Sequence, residues 1–291
     1  MRIIRLALAG ALGASALVGV SLTGALSATA ASSSALAACK TKISSEEVTK
    51  GTLTVATDTP AYTPWFVNNK PTNGKGYESA VAYAIAGELG VKKSNVKWVV
   101  EPFDSSYLAG PKSFDFDINE ISYTAARAKV VTFSTSYYDV QQSIVALKTD
   151  AIVKKHSPAQ LKTYQYGDQI GTTGLAYIND YIKPTKTTRV YSTLDQAVLA
   201  LQTGQIDALV IDTPTGQYMA SSQIVKNKKP IATQVGQFPS TGEHYGLLFA
   251  KGDPLVGCVN DAINALKANG TLAALQQKWL GIYTSVAAIK P

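Results

Sequence analysis

Apolar and polar positions along this chain follow two rhythms that replace one another, strand-like alternation and helical spacing. Residues 51–56 (GTLTVA) predict a first strand, entered by a glycine. A turn at 73–76 leads into a helix over 77–89, with Val81, Ile85 and Leu89 on one face and Gly90 as its stop. Residues 96–100 predict a second strand. Phe114-Asp115-Phe116-Asp117-Ile118 predicts a third, and 130–133 is a further β-prone run. The same grammar restarts downstream. Residues 167–174 lead into a helix carrying Leu175, Ile178 and Ile182, which Pro184 ends. Thr193 with Gln196 forms a capping box for a helix whose Leu194, Ala197, Val198 and Leu201 share a face, closed by Gly204. Residues 208–211 (ALVI) read as a strand covered on both sides. A final helix spans about 254–280, interrupted near Asn269-Gly270. Strands alternating with helices predict an α/β layered fold, in two halves.

Length agrees with two halves once the beginning of the chain is set aside. Arg2 and Arg5 precede an uncharged Leu/Ala/Val/Gly run, then small residues with Ala-x-Ala sites at 28–30 and 35–37. That is the pattern of a secretory leader over 1–37, with a retained membrane anchor as the rival reading. Roughly 250 residues remain, more than one ordinary core takes and enough for two lobes. The formal charge of +7 is scattered rather than striped among aromatics, so no nucleic-acid partner is expected. The two cysteines leave a choice open. Leu36-Ala37-Ala38-Cys39 matches a lipobox, which would place a lipid anchor on Cys39. An exported chain with two cysteines more often pairs them, here Cys39 with Cys258.

The residues that follow the predicted strands carry the chemistry. Ligands in open α/β sheets sit beyond the carboxyl ends of strands. Asp58, Glu120, Ser122 and Asp212 occupy such positions. Ser122, Thr124 and Arg127 follow one another within a few residues, and a guanidinium beside hydroxyls suits two-point capture of a carboxylate. Asp212, directly after an apolar strand, needs a partner or a cleft; the alternative is an Asx-turn or helix cap before Pro214. Gly171-Thr172-Thr173-Gly174 opens a helix, where free N–H groups suit an anion, but no Gly-Lys-Ser/Thr follows for a phosphate loop. Tyr62, Trp65 and Phe66 crowd a proline-containing loop after Asp58.

The segment 114–138 resembles the signature of the extracytoplasmic solute-binding proteins that deliver polar amino acids to ABC importers. Ile121, Ser122, Thr124, Arg127, Ala128, Lys129, Val131, Phe133, Ser134, Tyr137 and Tyr138 fall in step with it. Residues 161–173 match a second family segment without a gap, departing at Thr163 and Asp168. The resemblance implies a two-lobed fold of the type II periplasmic-binding-protein kind, with mixed sheets flanked by helices and a ligand cleft between the lobes. It implies two crossings, near 146–149 and 242–246, so that lobe 1 comprises 51–147 plus 246–291 and lobe 2 comprises 148–245. It also implies a ligand set. Arg127, Ser122, Thr172 and Thr173 would hold an α-carboxylate, Asp212 the ammonium, and Gln169 would face the side chain. Tyr62, the first choice in a loop that also holds Trp65, and Phe103 after the second strand would flank that side chain, while Asp58 and Glu120 add negative potential near its end. The expected ligand is a free polar or basic amino acid, the expected partner a membrane permease, and the expected location outside the cytoplasm as a monomer.

Catalysis, cofactor and metal are not expected. His156 and His244 are the two histidines, and the chain beyond the leader has no Gly-x-Ser-x-Gly elbow, His-Glu-x-x-His or paired-cysteine metal spacing. One rival is a secreted dehydratase for prephenate-like acids on the same scaffold, for which Glu120 is the candidate acid or base. The other is a receptor's sensing domain, disfavoured because the chain ends at Pro291 with no transmembrane or signalling segment there.

Overall fold

A computed structural model describes residues 23–283 and 286–289. Two sheets organise them. The first has five strands in the order Val96–Val100, Leu53–Thr57, Phe116–Asp117, Leu248–Phe249, Thr132–Phe133; the first three run parallel and Leu248–Phe249 runs antiparallel to its neighbours. The second places Gln142–Leu147 between Ala232–Gln237 and Ala208–Asp212, all antiparallel. A parallel pair, Gly167–Gln169 with Arg189–Tyr191, adjoins it through a bridge from Tyr166 to Ala208.

Local chemistry explains most of these elements. Helix Tyr77–Glu88 buries Val81 and Ile85 against the first sheet. Helices Leu255–Ala268 and Thr271–Leu280 are separated at Gly270, whose φ of 78° is left-handed and costs a glycine little. Thr193 caps Leu194–Gln202 by accepting from the Gln196 amide at 3.3 Å. The helix expected after Gly174 runs as Thr173–Ala176 and continues as a π-turn to Ile182. The expected 114–118 strand is shorter, Phe116–Asp117, although the Asp115 and Ile118 amides also donate to Thr54 and Ala56 of the first strand, and the Asp115 carboxylate accepts from the Val48 and Thr54 amides.

Two expectations need correcting. The strand Gln142–Leu147 is the centre of the second sheet, so the first crossing precedes Gln142 and does not lie at 146–149. An antiparallel ribbon, Tyr138–Asp139 with His244–Tyr245, joins the two regions there. The end of the chain does not stay wholly with the first lobe. Ile289 donates its amide to Gln237 and its side chain packs in the second lobe's core, since the edge strand Ala232–Gln237 offers unpaired backbone groups. The favoured pairing of the cysteines is present: Cys39 is bonded to Cys258, which leaves no thiol for the rival lipid anchor. The bond ties helix Thr23–Glu46 to Leu255–Ala268, with Leu36 and Ile43 buried on the same face as Cys39. Residues 1–22 of the expected leader lie outside the described residues.

Candidate functional site

The strand ends of the two lobes face one another across a cleft of about 580 Å³, including the part open to solvent. Asp58 and Glu120 reach it from loops after first-sheet strands, Gln169 and Asp212 from strand ends of the second lobe. Tyr62, Phe103, Ser122, Arg127, Thr172 and Thr173 complete the expected set along its walls. Trp65 does not join them. It is 0% exposed, edge-on to Tyr77, Tyr138 and Tyr245, and its indole N–H donates to Thr215 Oγ1 at 2.6 Å. A large ring in the first-lobe core supports the cleft from behind rather than lining it.

Arg127 begins a short 3-10 turn and is 7% exposed. Nη1 donates to the Ser122 carbonyl at 2.6 Å and Nη2 to the Gly171 carbonyl at 2.8 Å, so the fork bridges both lobes. Its cation lies over the rings of Tyr107, at 4.6 Å, and Phe103, at 5.4 Å. Gly171 is required at that crossing: its φ is 76°, and a Cβ would lie 2.2 Å from the Tyr107 hydroxyl. Gly174 is required too, because its backbone approaches the Val210 carbonyl so closely that a Cβ would sit 2.1 Å from the oxygen. That approach seats Thr172 and Thr173 beside Asp212. The Thr172 hydroxyl caps its helix, accepting from Leu175 N at 3.1 Å and donating to Gln169 O at 2.9 Å.

The opposite wall is acidic. Asp212 stands at a helix N-cap without capping it; its carboxylate faces the cleft and accepts from Gln142 Nε2. Burial raises its pKa to about 7, Glu243 adds to the rise, and the Tyr245 hydroxyl, Gln142 amide and Arg127 pull it back. Glu120, in a left-handed backbone conformation with φ 53°, accepts from Thr215 Oγ1 at 2.6 Å across the lobes. Burial pushes its carboxyl well above the ordinary range, and Glu78 and Asp212 push it further. Glu78 lies behind, taking the Glu120 amide at 2.7 Å and the Tyr137 hydroxyl, with its pKa raised by burial to about 8. Asp58 accepts from Thr59 N and Phe103 N and is raised mainly by burial. Tyr62 donates to Asp195 of the second lobe at 2.9 Å. Arg127 is the one cationic side chain among these described walls.

Sequence reasoning passed over Asn119, Gln142, Leu194 and Glu243. Asn119, Gln142 and Leu194 line the cleft, and Glu243 reaches its Ser122 and Gln142. Gln142, a polar residue entering an apolar strand, was a legible signal. Glu243, in an irregular segment, had none.

The family model of the bacterial extracellular solute-binding proteins, family 3, matches residues 53–282, which hold this cleft and both sheets. The chain belongs to that family. Among its relatives it is similar to the arginine-binding periplasmic protein of Mannheimia haemolytica, 27% identical over 224 residues that cover 76% of this chain and 89% of that one. It is also similar to the L-cystine-binding protein TcyJ of Escherichia coli (strain K12), 28% identical over 243 residues, 80% of this chain and 84% of that one. A solved variant of ArgBP from T. maritima superposes with a TM-score of 0.64 at 29% identity, covering 84% of this chain and 99% of its own. Family 3 members are thus represented by two-lobed amino-acid binders. Among the described residues, no helix is long and apolar enough to cross a membrane, and no group of three or more His, Cys, Asp or Glu side chains is arranged for a metal.

Proposed function

We propose that this chain is the extracytoplasmic substrate-binding component of an ABC importer, and that its ligand is a free amino acid with a cationic side chain. The observation that carries this is the charge balance of the cleft. Arg127 is positioned for one carboxylate, whereas Asp58, Glu120 and Asp212 line the remainder with Glu78 and Glu243 close behind. A zwitterion uses Arg127 and one acid; the surplus carboxyls, which burial inclines to hold their protons, ionise against a cationic side chain between Tyr62 and Phe103. Arginine binding in the Mannheimia relative supports the reading, while the cystine-binding relative marks the neutral alternative. Groups from both lobes contact the ligand together only when the cleft is closed, so binding favours closure and delivery by a monomer to a permease. A leader within 1–37 would direct export. Glu120's raised carboxyl is what favours the second reading, a dehydratase for prephenate-like acids.

A thermal-shift screen of the twenty amino acids on refolded, ligand-stripped protein tests this. Arginine or lysine should raise Tm most. A shift with cystine or glutamine and none with arginine removes the cationic specificity, and no shift with any, together with turnover of prephenate, replaces the transport reading by the enzymatic one.

The acids also predict a pH dependence. From ordinary values of 3.8 and 4.5, burial raises Asp212 to about 7 and Glu78 to about 8. A carboxyl that holds its proton more tightly when folded favours the fold at low pH, and that contribution is lost as pH rises through the folded pKa. The unliganded protein should therefore lose stability from these groups between about pH 5 and pH 8. A cationic ligand favours their charged forms, so arginine should bind roughly 10-fold tighter at pH 8 than at pH 5.5. Calorimetry across that range should show the slope; a flat profile means the acids do not sense the ligand's charge.

A further inference from the structure

Gln142 Nε2 carries two hydrogens, yet four oxygens surround it. They are Thr173 Oγ1 at 3.2 Å, Asp212 Oδ1, and Glu243 Oε1 and Oε2 at 3.2 and 3.3 Å. Its own Oε1 is buried without a hydrogen-bond partner. Turning the amide over would set that oxygen against two carboxylates, so they fix its orientation. Glu243 comes from the segment that crosses back between the lobes, and it also accepts the Ser122 hydroxyl at 2.6 Å. Asp212 ends a strand of the second sheet. Acceptors from the crossing segment and the second lobe thus converge on one neutral donor, where there are more lone pairs than hydrogens.

An ammonium group has three N–H donors and a full charge, and it suits this cluster better than an amide does. We propose that Glu243 is a second ammonium-binding carboxylate, which with Asp212 receives the α-ammonium of the amino acid. The inference rests on the amino-acid reading of the cleft. In this arrangement Asp212 and Glu243 take the ammonium from two sides while Arg127 takes the carboxylate, and Gln142 yields part of its contact. Ser122 then answers to both ends of the ligand, through its Arg127-bound carbonyl and its Glu243-bound hydroxyl.

Calorimetry with two probes tests it: L-arginine, and 5-guanidinopentanoic acid, which lacks only the α-ammonium. Glu243→Gln keeps the shape and an acceptor for Ser122. It should weaken arginine roughly 10- to 100-fold and the desamino acid less than about 3-fold. Ser122→Ala removes Glu243's hydroxyl partner but leaves both acids, and it should weaken the two probes equally. Equal loss for both probes in Glu243→Gln, or no loss for arginine, overturns the inference while leaving the cleft reading intact. Failure of the unaltered protein to bind arginine removes the cationic reading alone, and the probes become whichever amino acid does bind and its desamino analogue. Failure to bind any amino acid removes the cleft reading and the inference with it.

Discussion

Arg127→Ala is expected to weaken arginine binding by roughly 2–5 kcal/mol, on the order of 30- to 5,000-fold in Kd. Three observations set the size. The guanidinium is almost fully buried, it faces an acidic cleft, and its two nitrogens already join the Ser122 and Gly171 carbonyls across the lobes. Truncation would leave the ligand's carboxylate buried opposite Glu120, Asp212 and Glu243 with no counter-charge, the costly case for an ion pair. It would also remove an interlobe contact, so the closed form loses support even before ligand is considered. Arg127→Lys separates the two effects. A lysine keeps the charge but cannot span two carbonyls and a carboxylate from a planar fork, so most of the loss should persist. Calorimetric affinity unchanged in Arg127→Ala would dismiss the assignment of the carboxylate end.

Replacing both cysteines, Cys39→Ser with Cys258→Ser, should cost about 2–5 kcal/mol of stability. The bond closes a loop of sequence separation 219, and the entropy that such a crosslink removes from the unfolded chain grows slowly with loop length. Its removal also frees helix Thr23–Glu46, whose Leu36 and Ile43 cover the first-lobe core only while the helix is docked. The double variant should unfold at a lower guanidinium concentration with its amino-acid affinity close to that of the parent, because the bond lies away from the cleft walls. Equal midpoints for the two proteins would show that packing alone holds this helix. A leader removed as far as Ala37 would strip Leu36 from the core, so N-terminal sequencing of the exported protein bears on the same contact.

Much of the lobes was legible locally. The helix at Tyr77–Glu88, the strand at Val96–Val100 and the break at Gly270 follow from periodicity and from glycine's tolerance of positive φ. Asp58, Arg127 and Asp212 were legible because strand ends are where an α/β sheet exposes side chains to a ligand. Trp65 was misplaced for the same reason that it was noticed. Aromatics in a loop do signal burial, but one sequence does not say whether the ring turns to the cleft or to the core.

Taken by itself, the chain determined several strands and helices of each half and the family signature at 114–138, and it offered candidates for holding a carboxylate and an ammonium. It did not reveal the strands Gln142–Leu147, Ala232–Gln237 or Leu248–Phe249. Local sterics and hydrophobic periodicity act over a few residues, so they can be read from a few residues. Only the tertiary structure decided that Gln142 belongs to the second sheet, that Cys39 meets Cys258, and that Glu243 converges with Asp212 on one amide. Those facts depend on chain closure across separations of 70 to 219 residues, set by the packing of whole lobes. The acidic wall of the cleft is decided at that scale as well, since each carboxylate arrives from a different part of the fold.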